Sequence, residues 1–79
     1  MGEKKYLTVA QMKVGQSGQV TEIGGGRGMK RLEAMGMRPG KQITKLSGMF
    51  GRGPVTVQIG GGQLAIGFGM ARKIIVEVK

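Results

Sequence analysis

The acidic side chains are the first place to look for chemistry, and this sequence has only four of them. They are Glu3, Glu22, Glu33 and Glu77, which are scattered along 79 residues that include no histidine, cysteine or aspartate. Zinc and iron sites are built from clusters of these residue types. Acid–base catalysis most often uses histidine or paired carboxylates. The composition therefore predicts a protein that is not an enzyme and that holds no metal or other cofactor.

Positive charge dominates the rest of the sequence. Thirteen lysines and arginines against four glutamates give a net charge of +9 and a pI of about 10.8. Such a chain is attracted to polyanions, which include nucleic acid, anionic membrane surfaces and acidic protein faces. The charge could equally serve only to keep a small protein soluble, since the basic residues are spread along the chain. No apolar run approaches the roughly 20 residues that cross a bilayer, so we expect a soluble, cytoplasmic protein.

One basic cluster accompanies the only convincing helix of the sequence. Its members are Arg27, Lys30, Arg31 and Arg38. They could lie near one another along the helix and its exit, which makes them candidates for partner binding. A nucleic-acid interface would need phosphate contacts, and single-strand binders also use aromatic platforms. The chain has only Tyr6, Phe50 and Phe68, so attraction to phosphate is conceivable but base recognition is poorly supported.

The glycine-rich stretch before that helix is a second candidate for anion binding. The residues "GGGRGMKR" begin at Gly24, and a loop leading into a helix can offer backbone N–H groups to an anion. The stretch does not match the phosphate-binding pattern GxxxxGK[ST]. A plain turn is therefore the favoured interpretation.

The segment "MFGR", Met49 to Arg52, is the most unusual loop. Two apolar side chains at a glycine-flanked tip are candidates for contact with a partner, because methionine adapts to a partner's shape and phenylalanine supplies contact area. Alternatively, Met49 and Phe50 could fold back and cover one end of a thin core. The sequence leaves both possibilities open.

The hydrophobic pattern predicts one small, strongly bent all-β barrel over residues 1–79. Expected strands cover residues 17–23, 41–47, 55–59, 63–68 and 73–79, and a capped helical turn is expected within residues 7–15, with Leu7, Met12 and Val14 buried. About five short strands separated by glycine-rich turns are typical of such a barrel. Residues 48–54 are expected to form a flexible tip.

The helix after the first strand is predicted over residues 29–35. Met29, Leu32 and Met35 recur at helical spacing and would form one buried stripe. Gly36 suits the left-handed position that ends many helices, and Pro39-Gly40 suits a type II turn. Phe68 is predicted to continue the buried face of the strand that precedes it.

Three stretches of the sequence resemble the FeoA family. They are "LTVAQMKVGQSGQVTEI", "KRLEAMGMRPGKQI" and "GPVTVQIGGGQLAIGFGMARKIIVEV", which together span most of residues 7–78. The resemblance implies an SH3-like barrel. It also implies a role as an accessory or regulator of FeoB, the membrane transporter of ferrous iron with a cytoplasmic GTPase domain.

On this interpretation the chain is a noncatalytic adaptor. We expect Met49, Phe50 and Arg52, together with the basic edge of the helix, to contact the transporter, and proximity to anionic lipid headgroups would be favourable. The alternatives are an SH3-like barrel that binds RNA or DNA, and self-association through the strand edges or the tip.

Overall fold

The computed structural model describes residues 4–78. Its strands are β1 (Lys5–Thr8), β2 (Ser17–Ile23), β3 (Gln42–Met49), β4 (Arg52–Ile59), β5 (Gly62–Ile66) and β6 (Ile74–Val78). Its α-helices are α1 (Met29–Ala34) and α2 (Phe68–Ala71). The strands form one antiparallel sheet in the order β1-β6-β2-β3-β4-β5. The prediction of a small, bent all-β fold with a helix in an early connection is confirmed.

The N-terminal segment differs from the prediction. Residues 5–8 form a strand that was not predicted, and Lys5 pairs with Val78 at one end of it. The helical turn expected within residues 7–15 is a 3₁₀ turn at Val9–Gln11 with Thr8 at its N-cap, where the Gln11 side-chain oxygen accepts a hydrogen bond from the Thr8 N–H at 3.0 Å. Val14 is 61% exposed, so its predicted burial is wrong. It lies in irregular backbone, where no helical or strand period governs which side chains face the core.

Helix α1 ends one residue earlier than predicted and is closed by a Schellman turn. The Met37 N–H donates to the Leu32 carbonyl at 2.9 Å and the Gly36 N–H donates to the Glu33 carbonyl at 3.1 Å. Gly36 has a φ of +107°, which only glycine adopts readily. The turn places Met37 in the core beside Leu32, whereas Met35 is 51% exposed. The predicted stripe is therefore wrong at Met35.

The hairpin of β3 and β4 extends much further than predicted. Most of residues 48–54 belong to the two strands, and only Phe50 and Gly51 lie between them. The pairing shifts register twice along β3, between Lys45 and Ser47 and again before Met49. Such bulges increase the local bend of a strand. Gly48 permits a close approach there, because a Cβ would lie 2.8 Å from the Pro54 carbonyl oxygen.

Strand β5 ends at Ile66, and Phe68 begins α2 instead of continuing the strand. Because the chain leaves the strand at Gly67, the period-two alternation stops there, and Phe68 is 37% exposed. Its predicted place in the core is wrong. Residue 79, the predicted end of the last strand, lies outside the described residues.

The core is formed by apolar side chains that come from every strand except β1 and from both helices. Its fully or nearly buried members are Val9, Ala10, Met12, Val20, Met29, Leu32, Met37, Ile43, Val55, Val57, Leu64, Ile66, Ala71, Ile74, Val76 and Val78. Leu7 of β1 packs against this cluster while only partly buried. Neither helix within residues 4–78 is long and apolar enough to cross a membrane.

Candidate partner-binding surface

The tip of the β3–β4 hairpin is exposed. Met49 is 58% exposed and Phe50 is 64% exposed, and Arg52 beside them is also exposed. Of the two possibilities left open by the sequence, the structure favours a tip whose apolar side chains face solvent over one that covers the core. We call residues 49–52 the tip.

Three hydrogen bonds, two of them from Lys45, anchor the tip to the N-terminal part of the chain. The Gly51 N–H donates to the Ala10 carbonyl at 2.6 Å. The ammonium group of Lys45 donates to the Met12 carbonyl at 2.6 Å and to the Met49 carbonyl at 3.4 Å. The tip therefore lies against residues 10–12, where Ala10 and Met12 are buried.

Lys45 is a buried cation that was not identified from the sequence. Only 1% of its surface is exposed, and it lies on the same face of β3 as the buried Ile43. Burial lowers the pKa of its ammonium group from the ordinary value of 10.5. The alternation from Ile43 to position 45 was a signal that this side chain faces inward, but its closer acceptor, the Met12 carbonyl, is distant in sequence.

The four basic residues predicted around the helix are all exposed, and they lie from before its start to beyond its end. Arg27 precedes α1, Lys30 and Arg31 lie on its first turn, and Arg38 lies beyond its end. A helix of six residues spans about 9 Å. The Arg38 Nε donates to the Glu33 carbonyl at 3.2 Å, at the C-terminal end of the helix. The structure thus distributes these charges along the helix.

The glycine loop before α1 is tied to the residue that precedes β6. The Gly24 N–H donates to the Lys73 carbonyl at 2.9 Å, and the Lys73 ammonium group donates to the Gly25 carbonyl at 3.3 Å. These contacts fix the start of the loop as part of the fold, in agreement with its interpretation as a structural turn.

A second apolar surface lies between α1, α2 and the edge strand β5. It is a groove of about 430 Å³ whose lining includes Arg31, Leu32, Met35, Leu64 and Met70. The half-exposed Met35 belongs to this groove. A more polar hollow of about 520 Å³ lies where β2, β3 and β6 meet, and Glu77 is the only charged residue among the described residues that line it.

The described part of the chain contains no group of three or more histidine, cysteine, aspartate or glutamate residues that could hold a metal ion. The structure of residues 4–78 therefore assembles no set of donors of the kind that zinc and iron sites use.

Comparison with solved structures shows close agreement in fold. A crystal structure described as an iron uptake regulatory protein (FeoA) is 32% identical, with a TM-score of 0.82, and the match covers 94% of this chain and 100% of that one. FeoA of Stenotrophomonas maltophilia, solved with zinc and described as a prokaryotic SH3 domain protein, is 21% identical, with a TM-score of 0.75, covering 89% of this chain and 88% of that one.

A manganese-dependent transcriptional repressor contains the same fold. Its match covers all of this chain but 45% of the repressor, with 16% identity and a TM-score of 0.83. At that identity the likeness concerns the fold alone. No curated protein sequence matches the chain.

The family model for the FeoA domain matches residues 7–78. That range contains all the paired strands from β2 to β6, both helices and the tip. The chain, with its SH3-like fold, belongs to the FeoA family.

Proposed function

We propose that this chain is a noncatalytic accessory protein of bacterial ferrous iron uptake. It works in the cytoplasm by docking on the intracellular part of a FeoB-type transporter, and the tip is its main contact. Membership of the FeoA family supports a role in ferrous iron uptake, as does the 32% identity to a protein described as an iron uptake regulatory protein. The observation that supports the tip as the docking surface is the exposure of two adjacent apolar side chains, Met49 and Phe50, at an anchored hairpin end.

The chemistry of the tip suits a protein partner. Buried aromatic side chains are frequent anchors of protein interfaces, and Phe50 has 64% of its surface available for burial by a partner. Arg52 lies next to this apolar pair, and the net charge of +9 favours an acidic partner face and speeds association with it. The same attraction to an acidic partner face comes from the basic residues on the helix side, which are Arg27, Lys30, Arg31 and Arg38.

Titration calorimetry with the purified cytoplasmic part of the transporter tests the proposal. The measurement is made at low salt without nucleotide, with GDP and with a GTP analogue. Replacing Phe50 by serine is expected to weaken binding by about tenfold or more, the effect of losing an interface anchor. Replacing Tyr6 by serine is the matched control, because Tyr6 is 57% exposed on β1 and lies outside the tip.

An equal loss of binding affinity for the Phe50 and Tyr6 substitutions would show that the tip is not the contact. Absence of binding in every nucleotide state would remove the basis for direct docking. Retardation of RNA or DNA by the protein, with a steep dependence on salt, would instead favour a nucleic-acid function.

A further inference from the structure

The tip is held in place by a side chain that comes from the core. Lys45 lies four residues before Met49 on the same strand, and its side chain is buried. Its ammonium group bridges the carbonyl oxygens of Met12 and Met49, which are therefore no more than about 6 Å apart. Hydrogen bonds from a charged donor are stronger than those between neutral groups, and in a buried position they have little competition from water.

The strand pairing that leads to the tip is irregular. The ladder between β3 and β4 shifts register on both sides of Ser47, so the regular pairing is interrupted between Lys45 and the tip. Beyond that interruption, the pairing of Met49 with Arg52 and the hydrogen bond from Gly51 to Ala10 are the remaining backbone ties. Lys45 acts where the ladder is weakest.

We propose that Lys45 is a positioning residue that holds the tip against residues 10–12 and keeps Met49 and Phe50 ready to bind. The second half of this proposal rests on the function proposed above. The partner is expected to be an acidic protein surface with an apolar recess that receives Phe50. Holding the tip in advance reduces the conformational entropy lost on binding, which is how preorganised loops gain affinity.

Amide hydrogen exchange, followed by NMR on the full chain, tests the positioning role without any partner. Substitution of Lys45 by methionine removes the three donors but keeps an unbranched apolar stem. In a folded variant, the Gly51 amide is expected to exchange about tenfold faster, because its bond to Ala10 opens more often. The exchange of Val20, in the core strand β2, should be unchanged.

The matched control is Lys41→Met, the same chemical change at an exposed lysine just before β3. It is expected to leave Gly51 exchange at the wild-type rate. A Gly51 rate that is equal in Lys45→Met and wild type would overturn the proposal.

A measurement on the wild-type protein covers the case in which Lys45→Met does not fold. With ¹⁵N-labelled lysine, the Lys45 ammonium group is expected to give a slowly exchanging signal with nuclear Overhauser contacts to protons of Met12 and Met49. A rapidly exchanging ammonium group without contact to Met49 would contradict the proposed bridge.

Calorimetry with the cytoplasmic part of the transporter separates this proposal from the docking function. Lys45→Met is expected to weaken binding about three- to tenfold relative to Lys41→Met, through a looser tip. Faster Gly51 exchange with unchanged affinity would support the positioning role and contradict docking through the tip. Weaker affinity with unchanged exchange would overturn the positioning role.

Discussion

Lys45 occupies a position that strand alternation normally gives to an apolar side chain. Ile43, two residues earlier on β3, is buried on the same face. The aliphatic stem of a lysine can fill such a position, provided that the ammonium group finds acceptors. Here the Met12 and Met49 carbonyls supply them. All buried side-chain nitrogen and oxygen atoms within the described residues have a hydrogen-bond partner, so the fold accepts this cation at the cost of dehydrating it.

The lowered pKa of Lys45 predicts how stability changes with pH. In the folded protein the Lys45 ammonium group loses its proton at a pH below 10.5, because its pKa is lowered. In the unfolded chain it keeps the proton up to about that pH. Between the two pKa values the unfolded state binds more protons, so the free energy of unfolding rises with pH. Denaturant unfolding from about pH 8 to about pH 10.5 should show wild type gaining stability relative to Lys45→Met.

The Lys41→Met variant provides the comparison for that experiment, because it removes a lysine from an exposed position. Its stability difference from wild type is expected to stay constant over the same pH range. A pH-independent difference between wild type and Lys45→Met would mean that burial does not lower the pKa of Lys45.

The methionines and Lys45 show which residue-level features the sequence could predict. Met29 and Leu32 were placed correctly because the helical period holds inside α1. Met35 was wrongly placed in the core, whereas Met37 is buried because the chain reverses at Gly36, after which helical spacing no longer applies. The exposed tip residues were predicted as candidates from their type, but the buried Lys45 was missed. Its closer acceptor, the Met12 carbonyl, is 33 residues away and meets it only in three dimensions.

At the scale of elements, the sequence predicts strands better than it predicts their ends. The alternation of Val55, Val57 and Ile59 identified the C-terminal part of β4. The extension to Arg52 was hidden by glycine and proline, which usually indicate a loop. Both are accommodated here, because β3 shifts register opposite this region and Gly48 allows the strands to approach closely. Bulges depend on the pairing of two strands, so one strand's pattern does not reveal them.

The turn that ends α1 is the element whose stability depends most directly on a single glycine. Replacing Gly36 by alanine is expected to destabilise the protein by about 1–2 kcal/mol, because a non-glycine residue is strained at its φ of +107°. There is otherwise room for the added methyl group, which would approach the Ile59 side chain to 4.0 Å. Urea unfolding measures the change.

Gly61→Ala is the matched control for that substitution. Gly61 has no positive φ and nothing within 4 Å of an added Cβ, so its replacement should change the free energy of unfolding by less than about 0.5 kcal/mol. Similar losses of unfolding free energy at Gly36 and Gly61 would indicate that the positive φ of Gly36 is not the reason why its replacement destabilises the protein.

At the scale of the whole molecule, the net charge of +9 on 79 residues works against folding. Like charges repel more strongly in the compact state than in the unfolded chain. Raising NaCl from about 20 mM to about 300 mM shortens the screening length, so the thermal midpoint is expected to rise by a few degrees. Differential scanning calorimetry measures it.

A charge-reduced variant shows whether repulsion is the cause of that rise. Lys13, Lys30 and Arg72 are all exposed, and replacing each by glutamate lowers the net charge to about +3. The variant's thermal midpoint should respond less to salt than that of wild type. If salt raises the thermal midpoints of both proteins equally, the rise comes from the action of salt on apolar surface and not from reduced charge repulsion.

The pairing of β1 with β6 also sets an order of events during synthesis. Residues 5–8 are made well before residues 75–78, which are their strand partner in the sheet. With ribosomes adding roughly 5–20 residues per second, several seconds pass before that partner emerges. During this interval β1 has no neighbour to complete it, and β2 also lacks its pairing with β6. The sheet can therefore close only after β6 has left the ribosome, and the complete fold is expected to form no earlier than that.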